Sequence, residues 1–384
     1  GKQMKVAIVE WDTKIPVWHS NGTPSYMFDN TRVVDATAFG ACASAVNGSL
    51  FGYRWFREAM MDQFVSALNK YDVVYLVTRW HWADFLELAR RIKTKKVLGF
   101  GMGLDEFRSG MQKEGEFVAL VDLMKECDRL TSFSYNHTTY LMAMTGRWVS
   151  YLPMAYPYKH VMQTMRKKHN SKRIMITGPV WNGDTMGRRD DIGSCLIAAE
   201  VLKLNPEPYV EMIDKTMHTE VKDPVDTIFR KMNTDMSRVK VIPKMDWHKF
   251  MDWASEGGVS IHWDWCWSTG RIAADMAALA VPHLGGNSDH DEGLFLCNQQ
   301  HNFPMYRDVG IEFDLYTGTS ALEWLLFQDN TDIIEAADEY GLENLDYEPW
   351  KYNFERIVED KELENLWSLG RPDYRNMISP SVDR

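Results

Sequence analysis

Apolar positions in this chain fall into short unbroken runs separated by stretches of helical period. Val6–Glu10 reads as a first strand, Trp55–Leu68 as an amphipathic helix, and Val73–Val77 as a second apolar strand. The alternation continues through helix Phe85–Ile92, strand Val97–Phe100, helix Phe117–Cys127, strand Leu130–Tyr135, helix His137–Met144 and strand Val149–Leu152. Strands alternating with helices predict a parallel sheet covered on both faces. The segment from Trp11 to Gly52 is punctuated by Gly, Asn, Ser and Thr without a clear period, which predicts a long loop, functional or partly mobile.

Pro153 to Lys172 reads as a boundary, with two prolines followed by the basic run Arg166-Lys167-Lys168-His169. A second series then restarts: strand Arg173–Thr177, helix Asp191–Lys203, strands Tyr209–Ile213 and Val239–Ile242, and helix Trp247–Ser255. Ile311–Asp314 and Leu322–Gln328 continue this half, and Pro349–Trp367 is a late helix rich in charge and aromatics. The economical α/β architecture is two facing Rossmann-like domains with a cleft, assigned to residues 1–155 and 156–348, with 349–384 packing back on the first.

Composition narrows the picture. A net charge of −11 argues against a generally basic nucleic-acid binder. Five dispersed cysteines without CxxC spacing predict reduced thiols rather than a zinc site or disulfide framework. No apolar run approaches the roughly 18–20 residues of a membrane span. No signal peptide is expected ahead of the first strand, so the expected compartment is the cytoplasm, the host's for a viral chain. Fifteen tryptophans and sixteen tyrosines supply core material and also flat faces able to stack on sugars and bases.

The most informative stretch is Val259 to Ser288. A short strand to His262 leads through a tryptophan-rich turn to Ser268-Thr269-Gly270, then to a helix with apolar residues at Ile272, Ala273, Met276 and Ala277, and then to the strand Val281–Leu284. Open α/β sheets bind ligands at such strand-to-helix loops. Gly270-Arg271-Ile272-Ala273-Ala274-Asp275-Met276-Ala277, running to Val281-Pro282, is similar to the Glu-Ala-Met-Ala-x-Gly-x-Pro segment of GT-B glycosyltransferases. Thr177-Gly178-Pro179-Val180 followed by Arg188-Arg189-Asp190-Asp191, and Leu152-Pro153-Met154 at the domain crossing, resemble further parts of the same family.

That resemblance implies twin Rossmann-like domains, with a nucleotide-sugar held mainly by the C-terminal one. It implies that Asp275 takes the ribose hydroxyls and that Arg188 or Arg189 grips the diphosphate. The family's partner glutamate, eight residues before the acid, falls on Trp267 here. A glycine such as Gly178 admits a phosphate to the backbone, and arginines at a helix start add charge-assisted bonds. The expected donor set is Gly178, Arg188, Arg189, Pro243, Met245, His262, Asp264, Gly270, Arg271 and Asp275. A narrower resemblance, carried by Lys70–Val74, Lys96–Leu98, Tyr151–Pro153 and Ile242–Met245, is to phage DNA β-glucosyltransferases. It implies a catalytic aspartate after the strand Val97–Phe100, and Asp105 is the nearest acid.

The expected function is therefore transfer of a sugar from a nucleoside diphosphate donor, a UDP-sugar, to a hydroxyl acceptor. The acceptor is left open among a modified base in phage-type DNA, a glycan and a small molecule. Asp105, Asp12 and His19 are the candidate bases, because a carboxylate or imidazole must reach the acceptor hydroxyl. No tightly bound cofactor is expected. Asp289 and Asp291 have the Asp-x-Asp spacing of a metal motif, but their context favours a polar loop near the donor, so a divalent metal is not expected to be essential. The basic clusters Arg90–Lys96 and Arg166–Arg173 read as helix ends favourable to the dipole rather than as a DNA track. The alternative, kept by the missing glutamate, is a non-catalytic nucleotide or sugar binder.

Overall fold

The computed structural model describes residues 2–13, 17–19, 24–25, 38–101, 115–177, 192–213, 225–262, 270–285 and 315–359. The chain divides into two compact units, the first comprising Gly1–Val33, Val46–Pro153 and Trp350–Arg384, the second Val34–Ala45 and Met154–Pro349. The first unit is built on strands β1 (Val6–Glu10), β2 (Val17–His19), β3 (Pro24–Ser25), β4 (Ser49–Gly52), β5 (Val73–Thr78), β6 (Lys95–Phe100), β7 (Arg129–Ser132) and β8 (Ser150–Tyr151). Their order is β3-β2-β4-β1-β5-β6-β7-β8. The pairs from β4 to β8 are parallel, and β2 adds to the edge antiparallel.

All of β5 is buried. A central parallel strand is covered on both faces, which is why it reads as an uninterrupted apolar run. Helix α2 (Met61–Leu68) buries Met61, Phe64, Val65 and Leu68, a single stripe at helical spacing. It is followed by α3 (Trp82–Arg91), α4 (Glu116–Glu126) and α5 (Tyr135–Thr145). Phe56 and Phe64 stack at 4.5 Å inside a cluster with Phe51, Tyr53 and Phe85, so much of the aromatic content here is core.

The second sheet holds β9 (Arg173–Ile176), β10 (Tyr209–Ile213), β11 (Val239–Ile242), β12 (Val259–His262) and β13 (His283–Gly285), all parallel, in the order β11-β10-β9-β12-β13. Its unit carries α1 (Ala38–Ala45), α6 (Tyr158–Thr164), α7 (Ile192–Leu204), α8 (Trp247–Ser255), α9 (Arg271–Ala278), α10 (Leu315–Phe327) and α11 (Thr331–Asn344). Helix α12 (Tyr347–Glu359) closes the described chain. From Trp350 it packs within the first unit, stacking Trp350 on Phe354, placing both rings beside Tyr75, and taking the Arg129 Nε–H at the Ile357 carbonyl.

Several element boundaries differ from the sequence expectation. The presumed loop from Trp11 to Gly52 supplies β2, β3, α1 and β4. The strands there are very short, and α1, AFGACASA, is made of small residues apart from Phe39, so neither leaves a period to read. The helix expected from Trp55 begins only at Met61, because a tight turn at Tyr53–Trp55 is fixed by the Trp55 indole donating to the Thr13 carbonyl at 2.7 Å. The boundary after Pro153 contains α6, with Pro157 at its cap. Helix α11, which was not expected, is acid-rich and buries only a narrow stripe of Ile333, Ala337 and Gly341.

Candidate functional site

In the second unit the chain runs from β9 outward through β10 to β11, then returns to place β12 on the other side of β9. The topological switch point therefore lies between β9 and β12, and ligands of open parallel sheets bind beyond the carboxyl ends there. Strand alternation puts Ser260 and His262 on one face of β12. The Ser260 hydroxyl lies 2.7 Å from the Thr177 hydroxyl and 2.8 Å from His283 Nδ1, and all three side chains are buried. This polar ladder ties three adjacent strands together at the switch point. Burial, with a smaller contribution from neighbouring His262, pushes the His283 imidazole down to about 3, so it is neutral across the physiological range.

Helix α9 leaves this edge from Gly270, whose φ of 76° is a left-handed conformation that glycine adopts without a side-chain penalty. Arg271 opens the helix and is half-buried. Asp275, one turn in, is only 2% exposed. Its Oδ1 accepts from the Tyr156 hydroxyl at 2.5 Å and from Trp247 Nε1 at 3.0 Å. A carboxylate withdrawn from water needs such donors to offset its lost hydration. Burial, reinforced by the Asp275 charge, drives the Tyr156 phenol far above its ordinary value, so it remains a donor.

The predicted donor residues thus separate into groups. His262, Gly270, Arg271 and Asp275 lie along the β12-to-α9 connection, next to the switch point. Pro243 is exposed and Met245 half-buried, both beyond β11, two strand positions from β9. At a strand spacing of ~4.8 Å, that is about 10 Å along the edge. Gly178, Arg188, Arg189 and Asp264 lie outside the described residues, as do Asp105, Asp289 and Asp291. Asp12 is exposed and 2.9 Å from the Arg54 guanidinium. His19 pairs through its backbone with Ser49.

The basic clusters are used at helix ends. Arg166 Nε donates to the Ala278 carbonyl at the end of α9 at 2.8 Å, and Arg173 donates to Gly257 and Trp253 after and within α8 at 2.8 and 2.7 Å. Lys172 reaches the Leu326 carbonyl of α10 at 2.7 Å, and Lys96 that of Ile92 after α3 at 2.7 Å. Cations complement the partial negative charge of a helix C-terminus. Arg173 is the first residue of β9 and Lys96 the second of β6, which puts these charges at the amino edges of their sheets, opposite the ligand edge.

Three features escaped the sequence reading. The Thr177–Ser260–His283 ladder joins residues far apart in sequence, and only the alternation Ser260/His262 hinted at a polar face. Glu10 reads in the sequence only as the end of an apolar strand, and it is the last residue of β1, at the carboxyl edge of the first sheet. Arg79 follows β5 at the same edge. Both an acid and a base ending neighbouring strands are visible in the sequence once that adjacency is known. Among the described residues no group of three or more His, Cys, Asp or Glu is arranged to hold a metal ion, and no helix is long and apolar enough to cross a membrane.

No protein-family model and no curated protein matches the chain. Solved structures do. A UDP-forming α,α-trehalose-phosphate synthase from Burkholderia xenovorans aligns with a TM-score of 0.60 at 10% identity, over 94% of this chain and 99% of that one. An α-glucosyltransferase in complex with UDP-glucose and abasic-site DNA aligns at 0.58 and 12% identity, over 93% and 99%. Sucrose-phosphate synthase from Thermosynechococcus elongatus aligns at 0.58 and 10% identity, over 95% and 99%. The chain has the GT-B fold of these glycosyltransferases, two Rossmann-like units in one polypeptide.

Proposed function

We propose that this protein is a glycosyltransferase that moves a sugar from a nucleoside diphosphate donor, a UDP-sugar, to a hydroxyl acceptor. The observation that carries the reading is the two-way coverage of the fold. Nearly all of this chain aligns with nearly all of enzymes whose names specify UDP or UDP-glucose. A shared fold does not by itself specify chemistry, so the site residues supply the second support. The proposed donor region is residues 156–348, with 1–155 serving the acceptor and 349–384 completing the first domain.

Within the donor region we assign His262 and Arg271, at the carboxyl end of β12 and the start of α9, to the sugar-phosphate. Gly178, Arg188 and Arg189 are assigned to the diphosphate on sequence grounds, since a departing diphosphate needs guanidinium groups or backbone amides to stabilise its charge. Asp264 and Gly270 complete the β12-to-α9 loop, and Pro243 and Met245 form an outer contact. Asp275 is the ribose candidate. Its Oδ1 already holds Tyr156 and Trp247, so ribose recognition uses Oδ2 or displaces one of these donors. Asp105 is retained as the proposed base.

A thermal-shift panel of nucleoside diphosphates and their sugars, with and without manganese, tests this directly, because a ligand of the folded state raises Tm by mass action. UDP or UDP-glucose is expected to raise Tm without metal, and Arg188→Ala or Arg189→Ala to diminish the shift. No response to any nucleotide removes the transferase reading.

A further inference from the structure

The first sheet has its own switch point. From β1 the chain goes to β4 on one side and then to β5 on the other, so the crevice position lies beyond the carboxyl ends of β1 and β5. Glu10 ends β1 and Arg79 follows β5. The Arg79 Nε is buried and has no hydrogen-bond partner among the described residues. The two nearby arginines differ, since Arg54 pairs with Asp12 at 2.9 Å and Arg57 with Asp84 at 2.7 Å. Burial raises the Glu10 carboxyl above its usual range, against the lowering effect of bonds from Thr13 and the Asp12 backbone, and it senses the charges of Asp12 and Arg79. Beside the pair, His81 has φ 59°, a strained conformation for a non-glycine residue, and stacks on Trp11 at 3.8 Å. Strained residues and unsatisfied buried groups concentrate where ligands bind.

We propose that Glu10 and Arg79 form a hydroxyl-recognition pair, the polar floor of a binding site for a neutral sugar ring on the first unit. A carboxyl group and a guanidinium N–H at the ends of neighbouring strands supply an acceptor and a donor at one sheet edge, and adjacent sugar hydroxyls both give and take hydrogen bonds. An anionic ligand is disfavoured by Asp12 and Glu10. The anion position at the start of α3 is also filled, because the Trp82 backbone N–H already donates to Glu116 Oε2 at 3.0 Å. An apolar ligand would leave the buried Arg79 Nε unsatisfied. Assigning the ring to the acceptor rests on the transferase reading, whereas the site itself does not.

Saturation-transfer NMR on the full chain, with glucose, galactose, mannose and their methyl glycosides as probes, tests the site. The variants are Glu10→Gln and Arg79→Met, with UDP thermal shifts measured on the same preparations. At least one saccharide should bind the wild type, with affinity falling about tenfold or more in Arg79→Met, the loss of one charged hydrogen bond. UDP responses should be unchanged. The unliganded variants should melt no lower than wild type at pH 7, since Arg79→Met loses a buried N–H without a partner among the described residues and Glu10→Gln loses a carboxylate whose charge burial disfavours. The Glu10→Gln advantage should exist at pH 7 and vanish near pH 4. A carboxyl whose folded pKa is raised is a burden once pH exceeds that value and none below the unfolded one.

Absence of binding by every saccharide, or binding that survives both substitutions, overturns the proposal. So does a drop of about 5 °C or more in the Arg79→Met melting temperature, which would make the guanidinium structural. Saccharide binding without any UDP response supports this site and removes the donor reading instead.

Discussion

The two sheets solve one topological problem in opposite ways. Each reverses direction beside its first strand, and each places polar side chains there. In the second unit those groups close on one another: Thr177 to Ser260 to His283, all neutral, and Asp275 to Tyr156 and Trp247. In the first unit they are charged, and Arg79 Nε remains without a partner among the described residues. A closed network gives rigidity, while an open one is held ready for a ligand at some cost in stability. The contrast separates a network already closed in the fold, to which the ribose candidate Asp275 belongs through Oδ1, from one that leaves a buried donor open.

The largest expected effect comes from Asp275→Ala. It removes the acceptor of one buried and one part-buried donor and should cost about 2–4 kcal/mol, read as a lower urea midpoint at unchanged m-value. A change below about 0.5 kcal/mol would mean that the carboxylate is not a structural hub. Ser260→Ala comes next, at about 1–3 kcal/mol, because one hydroxyl serves both Thr177 and His283. The comparison fails if Ser260→Ala is neutral while Glu10→Gln is destabilising, for then the open network would be the structural one.

The pattern that carried the fold was legible because parallel strands must be apolar on both faces. Val73–Thr78 announces itself, Tyr209–Ile213 does so less cleanly because Tyr209 is exposed and Glu211 interrupts it, and two alternating series in 384 residues led to the GT-B resemblance that the solved structures bear out. What sequence could not show was adjacency. Ser260 and His283 stand opposite each other only through the β12–β13 register, and Glu10 and Arg79 come to the same sheet edge only because β1 and β5 are neighbours across a reversal. Helix α1 was invisible for another reason, since small residues such as Ala41 and Cys42 are buried without an amphipathic period. The basic run near Arg166 reads in the sequence as helix-end charge. Its bonds to Ala278, Leu326 and Gly257 now specify which helices it ends.

A smaller effect separates the sheets by pH. His283 has a folded pKa near 3, below its unfolded value, so between about pH 6.5 and 3 the unfolded chain binds the extra proton. Stability is therefore lost as pH falls through that window, by at most ~1.4 kcal/mol per pH unit for a single group. Glu10 has the opposite sign, since its folded carboxyl is the one that holds the proton more tightly. Melting curves at pH 7, 6 and 5 should show a shallower decline in His283→Asn than in wild type. Equal slopes would place the acid sensitivity elsewhere.

The smallest effect is expected at Asp12. Although it too lies just beyond β1, its carboxylate is 59% exposed and meets Arg54, itself 43% exposed, at 2.9 Å. An exposed ion pair is screened by solvent and contributes ~0–1 kcal/mol, and Asp12→Asn should sit near the lower end of that range. Its charge does bear on Glu10, where it opposes ionisation. Removing it should therefore let the Glu10 carboxyl ionise more readily, moving the pH at which Glu10→Gln stops stabilising the chain downward, with little change in Tm at pH 7. If Asp12→Asn instead abolished saccharide binding while Glu10→Gln left it intact, the recognition role would belong to the exposed acid. The buried one would then be part of the frame, and the distinction drawn between the two sheets would not hold.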